Sequence, residues 1–324
     1  MRARRDHIPG TGRMVEVLEA GDARVLCIPD LAAVPWPQAA LLRGIAPPDF
    51  GALAARCPGG TTDAEAGTIT LNFNIFVIQT GGRTIVVDAG LGNGKARPDR
   101  PAWHMLDTPF LRILAHYGIR PGDVDMLVLT HFHADHMGWA TLRQGDGWVR
   151  TFPNARYLAP AAELDALADA AAGADTAALL HGAYADSFLP VAGSGGWEPL
   201  AVPGTLAPGL TAEAVPGHVA GLCALRLDAG PGAPEVLFCS DAIHHQVQLA
   251  DPAVVSKFCA DPAQAVQTRM AMLAGAAERG TVIAAYHFPN PVFGRVFRRE
   301  GAFGFAPLIA MQIETNNEKQ GEDG

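Results

Sequence analysis

Residues 131 to 136 read HFHADH, which places three histidines and one aspartate within six positions. Imidazole and carboxylate groups are ligands that transition-metal ions bind in proteins. A chain with 11 histidines seldom shows this order by chance, so the segment predicts a metal site. The preceding run VDMLVLT is apolar and typical of a buried strand. We therefore expect the site at the C-terminal end of a strand, where open α/β sheets place their ligands.

The spacing within the segment predicts two ions rather than one. Side-chain direction repeats every two residues in an extended segment, so His131 and His133 face the same side and can hold one ion together. Asp135 and His136 lie further along and can face a second ion beside the first. Each ion then needs further ligands from distant parts of the chain.

Three later segments each present a candidate ligand after a turn or at the end of a strand. EAVPGH presents His218, VLFCSD ends on Asp241 and TVIAAYH ends on His287. A single residue of this kind is more often a cap or a satisfied polar group. Beside the histidine cluster, we expect His218 to complete the first site, His287 to complete the second and Asp241 to bridge them.

The predicted donor atoms are nitrogen and oxygen without a thiolate. Such a set suits Zn²⁺, and Mn²⁺ or Fe²⁺ are alternatives. Two ions about 3.5–4 Å apart share a water and lower its pKa until it is a nucleophile near neutral pH. The expected chemistry is hydrolysis by a hydroxide that bridges two divalent ions.

Composition narrows the protein class. The chain has 324 residues, a net charge of −9 and no dense run of lysine and arginine, so a nucleic-acid partner is not expected. No stretch approaches 18 uninterrupted apolar residues, which argues against a membrane span. The five cysteines form no CxxC pair, which indicates mostly buried thiols in a reducing compartment. These features predict a cytoplasmic protein that acts on a small-molecule substrate.

The elements around the motif are predicted from turn and capping signals. TITLNFNIFVIQT and RTIVVDAG, joined by Gly-Gly, predict a hairpin. DTPFLRILAHYG predicts a helix capped by Thr108 and stopped by Gly118, and a second helix is predicted between Asp261 and Gly280. Strands and helices alternate irregularly, which indicates mixed sheets with helices packed outside.

We divide the chain into three parts. Residues 1–65 form an N-terminal extension with one predicted strand, ARVLCIPD; its Trp36 segment either folds over the site as a lid or mediates a homodimer. Residues 66–310 form the catalytic domain. Residues 311–324 are a polar tail that we expect to be disordered.

The motifs THFHADHMG, PGH, SDAIHH and AYHF, in this order after IVVDAG, resemble the metallo-β-lactamase superfamily. The resemblance covers about residues 65 to 310. It implies an α/β fold, a four-layer αββα sandwich of two mixed sheets. It also implies the ligand assignment given above, with Asp88 supporting the site from behind the ligands.

The C-terminal third is similar to the methyl parathion hydrolase and lactonase-like group. In N-acyl homoserine lactonases a tyrosine typically stands three residues after the bridging aspartate, and here that position is His244. His244 is a candidate hydrogen-bond donor or proton donor to the substrate, with a solvated or supporting role as the alternative, which is favoured more strongly for His245. Asp135 is expected to steer the nucleophile or pass a proton in addition to binding metal.

Other histidines and aromatic residues carry weaker signals. His7, His104, His116 and His181 have no supporting pattern and are interpreted as ordinary. Five apolar residues near the motifs either line a pocket above the metals or simply pack in the core. They are Phe132, Met137, Trp139, Phe288 and Phe293.

The function that follows is dinuclear metal-dependent hydrolysis of a lactone or carboxyl ester, with phosphotriesterase activity as a side reaction. The first alternative is a thioesterase of the same fold, of the glyoxalase II kind or attached to a biosynthetic pathway. The second is a metal-free binding protein without catalytic activity.

Overall fold

The computed structural model describes residues 1–45, 47–173 and 175–309; the tail predicted at 311–324 lies outside the described residues. Within these residues, the part of the chain up to Leu200 forms twelve strands, β1 to β12. In chain order these are Arg2–Ile8, Arg13–Ala20, Ala23–Pro37, Leu42–Arg43, Thr62–Asp63, Thr68–Thr80, Arg83–Val87, Met126–Val128, Thr141–Gln144, Gly147–Arg150, Arg156–Pro160 and Glu198–Leu200.

The second half forms eight strands, β13 to β20. They are Gly204–Ala207, Leu210–Ala214, Cys223–Leu227, Val236–Phe238, Val255–Ser256, Val282–Ala284, Phe293–Arg299 and Ala302–Pro307. Seven α-helices, α1 to α7, complete the described structure: Gln38–Leu41, Pro47–Ala54, Phe110–His116, Ala161–Ala172, Leu189–Ala192, Val247–Ala250 and Pro262–Arg279.

Two large mixed sheets divide the chain between them. The first has nine strands in the order β1-β2-β3-β6-β7-β8-β11-β12, with β5 beside β6. The second has seven, in the order β13-β14-β15-β16-β18-β19-β20. Parallel pairs occur at β7/β8, β8/β11 and β11/β12 in the first sheet and at β16/β18 in the second. The change from one sheet to the other falls between β12 and β13.

The layering follows from strands that are apolar on both faces. In β3, Val25 and Cys27 pack between the two sheets, whereas Leu26 and Ile28 face outward. The outer face of the first sheet is covered by α3, and the outer face of the second sheet by α7. Because each sheet is covered on both sides, its strands read as nearly continuous apolar runs. The result is the expected αββα sandwich.

The capping predictions have different outcomes at the two helices. At α7, Asp261 accepts a hydrogen bond from the Gln264 N–H, and Gly280 ends the helix at φ 66°, as predicted. At α3 the predicted cap by Thr108 is wrong, because the Thr108 hydroxyl instead donates to the buried Asp30 carboxylate. The predicted hairpin between β6 and β7 is confirmed.

The prediction of a single strand near the N-terminus is also wrong. Residues 2–37 form three strands, β1 to β3, and β3 pairs with β6 in the first sheet. All five cysteines are free thiols and four of them are buried. Within residues 1–45, 47–173 and 175–309, no helix combines the length and apolar character needed to cross a bilayer.

Candidate metal centre

The loop after β8 is held in shape by Asp88, which follows β7. Its carboxylate accepts hydrogen bonds from the Thr130 backbone N–H at 2.8 Å and from the Thr130 hydroxyl at 3.0 Å. Since β7 and β8 are parallel neighbours, the two residues leave the same edge of the sheet side by side. Asp88 lies at φ 55°, a left-handed conformation uncommon for a residue other than glycine. The histidine segment therefore starts from a fixed point.

The first group of candidate ligands is His131, His133, His218 and Asp241. His133 Nδ1 lies 3.0 Å from His131 Nε2 and 3.0 Å from His218 Nε2. Asp241 Oδ2 lies 3.2 Å from His218 Nε2 and 3.8 Å from His131 Nε2. The structure thus brings together the four residues that the sequence predicts for one site.

The second group is Asp135, His136 and His287. Asp135 Oδ2 lies 3.9 Å from His136 Nε2 and 3.6 Å from His287 Nε2. The other oxygen of Asp241, Oδ1, lies 3.4 Å from His136 Nε2 and 3.5 Å from His287 Nε2. Asp241 therefore turns one oxygen to each group.

These groups fit divalent ions on two independent grounds. Donor atoms around a tetrahedral ion with bonds of 2.0–2.1 Å lie about 3.4 Å apart, which matches the separations above. Within the described part of the chain, His136 Nε2 and Asp241 Oδ1 are buried without a hydrogen-bond partner. Buried polar atoms are rarely left unpaired in native proteins, so these two atoms indicate a ligand at this position.

In four of the five candidate histidines, the ring nitrogen that faces away from the groups has a partner of its own. Such contacts fix the ring orientation and the tautomer of a metal-binding histidine. The pairs are His131 Nδ1 with Thr130 Oγ1 at 3.1 Å, His136 Nδ1 with Asp88 Oδ2 at 2.9 Å, His287 Nδ1 with the Asn72 carbonyl at 3.0 Å, and His218 Nδ1 with Cys259 Sγ at 3.7 Å.

Burial and the neighbouring carboxylates shift the pKa values of the candidate histidines in different directions. Burial lowers the pKa of His131 and of His218 well below the ordinary value, which keeps both imidazoles in the neutral form that binds metal. Burial alone would also lower the pKa of His136. The carboxylates of Asp241 and Asp88 outweigh that effect and raise it well above its ordinary value.

A cavity of about 400 Å³ opens above the two groups. Its floor includes His133, Asp135, His218, Asp241, His244 and His287. Its walls are mainly apolar and include Trp36, Leu71, Phe73, Trp103, Leu179 and Phe258. Clefts of this size, apolar with a few convergent polar groups, are typical of sites for small molecules.

The residues that line the cavity contradict two interpretations made from the sequence. Phe132, Met137, Trp139, Phe288 and Phe293 are buried in the core, and the pocket interpretation of these residues is wrong. His181 is not an ordinary histidine, because it lines the cavity and contacts Arg100 there.

His244 and His245 have different surroundings. His244 lines the cavity floor, and its Nε2 lies 3.4 Å from Asp241 Oδ2. In the described structure neither of its ring nitrogens has a hydrogen-bond partner. His245 is buried behind the site, and its Nε2 lies 3.0 Å from the Thr61 carbonyl. His244 is thus open to a ligand, and His245 has a structural contact.

Three supporting residues were not predicted. Asp30 accepts hydrogen bonds from the Leu91 N–H at 2.8 Å and the Trp139 indole at 3.0 Å. The Tyr286 hydroxyl donates to the Asp135 carbonyl, and Glu163 accepts from the Gly221 N–H at 2.9 Å. Asp30 follows the apolar run VLCIP, and a charged residue directly after such a run is a signal that could have identified it.

Comparison with known proteins agrees with this geometry. Residues 71–275 match the model of the metallo-beta-lactamase superfamily. The chain belongs to this superfamily. Two curated relatives, each named a probable metallo-hydrolase, come from Mycobacterium bovis and Mycobacterium tuberculosis and are 29% identical over 196 residues. The match covers 55% of this chain and 59% of each relative's length.

Solved structures extend the likeness to nearly the whole fold. A hydrolase of the beta-lactamase superfamily, AbOPH, has a TM-score of 0.74 at 22% identity, covering 95% of this chain and 100% of that one. AidC, described as a dizinc quorum-quenching lactonase, has a TM-score of 0.75 at 18% identity, covering 92% of this chain and 98% of that one. At such identities the likeness establishes the αββα fold of the superfamily.

Proposed function

We propose that the protein is a metal-dependent hydrolase that opens a lactone or a carboxyl ester. The observation that carries the proposal is the pair of ligand groups joined by the two oxygens of Asp241 on the floor of an apolar cavity. The superfamily membership and the hydrolase and lactonase names of its structural relatives support the same class of reaction. The predictions of a cytoplasmic location and of a homodimer stay predictions.

The ligand set is assigned residue by residue. His131, His133 and His218 would hold one ion, Asp135, His136 and His287 would hold the other, and Asp241 would offer one oxygen to each group. Two such ions would supply Lewis acidity and would lower the pKa of a water toward neutrality. Zn²⁺ suits the nitrogen and oxygen donors, and the Cys259 thiol contacts only the far nitrogen of His218.

Two side chains are proposed to act on the substrate. His244 faces the cavity with both ring nitrogens free in the described structure, so it can donate a hydrogen bond to the leaving oxygen. Asp135 also lines the cavity, and its proposed ligand atom is Oδ2. Its carboxylate can therefore accept a proton from the attacking water. The apolar walls bind the acyl chain and exclude bulk water.

The first experiment combines metal content with turnover. We would measure metal per chain after purification without chelator, and hydrolysis of an acyl lactone, an aryl ester, a thioester and a phosphotriester. We expect two ions per chain and chelator-sensitive turnover of the lactone or the ester. Preference for the thioester would favour the thioesterase alternative. Absence of metal and of turnover, after Zn²⁺ or Mn²⁺ is supplied, would contradict the proposal.

A pair of neighbouring variants tests the role of His244. His244→Gln is expected to lower kcat by about 10²- to 10⁴-fold, the usual contribution of a proton donor, with metal content unchanged. His245→Gln is the matched control, since it removes an adjacent buried imidazole whose partners are the Thr61 carbonyl and the Val247 N–H. Similar losses of kcat in both variants would contradict a specific role of His244.

A further inference from the structure

The cavity has one cationic side chain on its wall. Among the described residues that line it, Arg100 is the one arginine or lysine. Arg100 is half-buried, and its guanidinium lies 5.8 Å from the centre of the Trp103 ring. An aromatic ring beside a guanidinium limits the positions that the cation can take. The positive charge is thus held on the wall of the cavity, among wall residues that are mainly apolar.

Arg100 lacks a carboxylate partner of the kind that the nearby Arg97 has. Arg97 donates to both oxygens of Asp186 at 2.7 and 2.9 Å. Within the described residues, no Asp or Glu oxygen lies within 4.0 Å of the Arg100 guanidinium. A guanidinium carries five N–H donors and pairs best with a carboxylate in a two-point contact. Arg100 therefore retains donors that a ligand can use.

A short chain of hydrogen bonds orients Arg100. The Asp99 carboxylate contacts His181 Nδ1, which places the ring proton on that nitrogen. In the neutral imidazole with its proton on Nδ1, Nε2 is an acceptor, and this atom of His181 lies 3.4 Å from Arg100 Nη2. The short contact of the Asp99 carboxylate is with His181 and not with Arg100, although the charges of Asp99 and Arg100 also attract each other directly.

The loop that carries His181 has an unusual backbone. Leu180 and His181 lie at φ 54° and 56°, two consecutive left-handed residues that are not glycine. Such strained conformations persist where the surrounding structure imposes them, and they cluster at ligand sites. The side chains of Leu180 and His181 both line the cavity as a result.

The cation and the metal groups lie at different depths. The side chains of Asp241 and His287 on the floor are 3% and 6% exposed. At the Arg100 end, the side chains of His181 and Asp99 are 34% and 52% exposed. Arg100 therefore belongs to the mouth of the cavity, and apolar walls separate it from the floor.

We propose that Arg100 binds a carboxylate at the far end of the substrate. The substrate is then an ester or lactone whose scissile bond lies at the floor and whose apolar chain ends in a carboxylate at the mouth. This inference rests on the proposed hydrolase function and adds the substrate class. His181 and Asp99 are positioning residues for the guanidinium.

The test uses two matched series of substrates with the intact protein. One series is the 4-nitrophenyl monoesters of straight-chain dicarboxylic acids, and the other is the 4-nitrophenyl esters of fatty acids of the same length. We expect the wild type to prefer the carboxylate series by about tenfold or more in kcat/KM. Arg100→Met is expected to raise KM for that series by about 10- to 100-fold, as for a lost hydrogen bond to a charged group.

Control variants separate the local role from general damage. Arg100→Met should raise KM for the carboxylate series by at least about tenfold more than KM for the fatty-acid esters, because the fatty-acid esters offer no carboxylate to the guanidinium. Arg120→Met, which removes an 83% exposed guanidinium, should change neither series. His181→Phe keeps an aromatic ring but removes the acceptor for Arg100, and we expect a smaller rise in KM for the carboxylate series alone.

A binding measurement tests the subsite without turnover. Amide analogues of both series, which resist hydrolysis, would be titrated calorimetrically into wild type and Arg100→Met. We expect the carboxylate to increase affinity about tenfold or more in the wild type only. An equal preference in both proteins, or no preference in the wild type, would overturn the proposal.

The two proposals fail in different ways. Hydrolysis of fatty-acid esters without any preference that depends on Arg100 would leave the hydrolase and remove the carboxylate subsite. Binding that depends on Arg100 in a protein without turnover would keep the subsite and remove the hydrolase.

Discussion

At the scale of single residues, the carboxylate of Asp88 has two structural roles. It anchors the Thr130 backbone and accepts a hydrogen bond from His136 Nδ1 at 2.9 Å. The proposed ligand atom of His136 is the other ring nitrogen, so Asp88 fixes the tautomer that leaves this atom free. We therefore expect metal affinity to depend on Asp88, although it is not one of the proposed ligands.

Asp88→Asn is expected to weaken metal binding by about 10- to 100-fold, because an amide cannot accept every hydrogen bond that the carboxylate accepts. Competition with a chromophoric chelator measures the change. Asp228→Asn is the matched control, since the exposed Asp228 also accepts a backbone hydrogen bond, from Gly230, but lies away from the site. Equal affinity of Asp88→Asn and wild type would contradict this role.

Some residues of the candidate site can be predicted from the sequence and others cannot. His131, His133 and Asp135 lie within five positions of the chain, so their type and spacing suffice to propose a site. Arg100 and His181 are 81 positions apart and meet only through the fold. In sequence, a single half-buried arginine shows no pattern that distinguishes it from an exposed one. This explains why Arg100 and His181 were not predicted as part of the cavity wall.

At the scale of elements, buried Asp30 connects segments that are distant in sequence. Its carboxylate accepts from the Leu91 N–H at 2.8 Å, the Gly92 N–H at 3.1 Å and the Trp139 indole N–H at 3.0 Å. It thereby joins the middle of β3, where the pairing with β6 is irregular, to the turn after β7 and to the chain following the histidine segment.

Asp30→Ala is expected to lower the free energy of unfolding by about 3–5 kcal/mol, because it leaves several buried donors without an acceptor. Denaturation in urea measures the loss. Asp63→Ala is the control, because Asp63 is exposed and accepts one backbone hydrogen bond from Ala66. A loss no larger than that of the control would show that water satisfies the freed donors.

A second element contact depends on pH. Lys95 is buried, and its ammonium donates to the Thr141 hydroxyl at 2.6 Å and packs 3.6 Å from the centre of the Trp148 ring. Burial, together with the positive charge of Arg97, lowers the pKa of Lys95 to about 7, although Asp186 acts in the opposite direction. In the unfolded chain the pKa of lysine is about 10.4.

The unfolded state therefore binds more protons than the folded state between about pH 7 and pH 10.4, and the contribution of Lys95 to stability rises with pH in this range. We expect the stability of wild type relative to Lys95→Met to increase by up to about 1.4 kcal/mol per pH unit there. Urea denaturation of both proteins at pH 6, 7.5 and 9 tests this. Lys257→Met, at an exposed position, should follow the wild type at every pH. A constant difference between Lys95→Met and wild type would contradict the shifted pKa.

Strands with a regular apolar pattern are predicted from the sequence, whereas strands with an interrupted or highly charged pattern are not. The hairpin of β6 and β7 was predicted because its apolar runs and Gly-Gly turn are clear. β2 was missed because Glu16, buried at 0% exposure, interrupts its apolar pattern and accepts a hydrogen bond from the Val292 N–H at 2.9 Å. β1 was missed because an edge strand rich in charged residues resembles a loop in sequence.

At the scale of the whole molecule, the N-terminal strands complete the first sheet. Val15, Val17 and Leu18 of β2 are fully buried, whereas Ile8 is the one buried residue of β1. The two strands thus differ in how much core they contribute, although they are neighbours in the sheet.

Removal of residues 2–20 is expected to give an insoluble protein, because it uncovers the edge of β3 and part of the core. Removal of residues 2–7 deletes most of the edge strand alone, and we expect a soluble, less stable protein. Soluble expression and thermal denaturation distinguish the outcomes. A stable, metal-binding protein after the longer deletion would instead support an N-terminal extension separate from the catalytic domain.

The division of ligands between the two sheets also has a consequence for biosynthesis. The first sheet and His131 to His136 leave the ribosome before any ligand of the second sheet is made. His136 and His287 are 151 positions apart (287 − 136), so at about 5–20 residues per second the nascent chain waits about 8–30 s for its last ligand. During that interval the early histidines form an incomplete proposed site, and we expect full metal loading only after His287 has been translated.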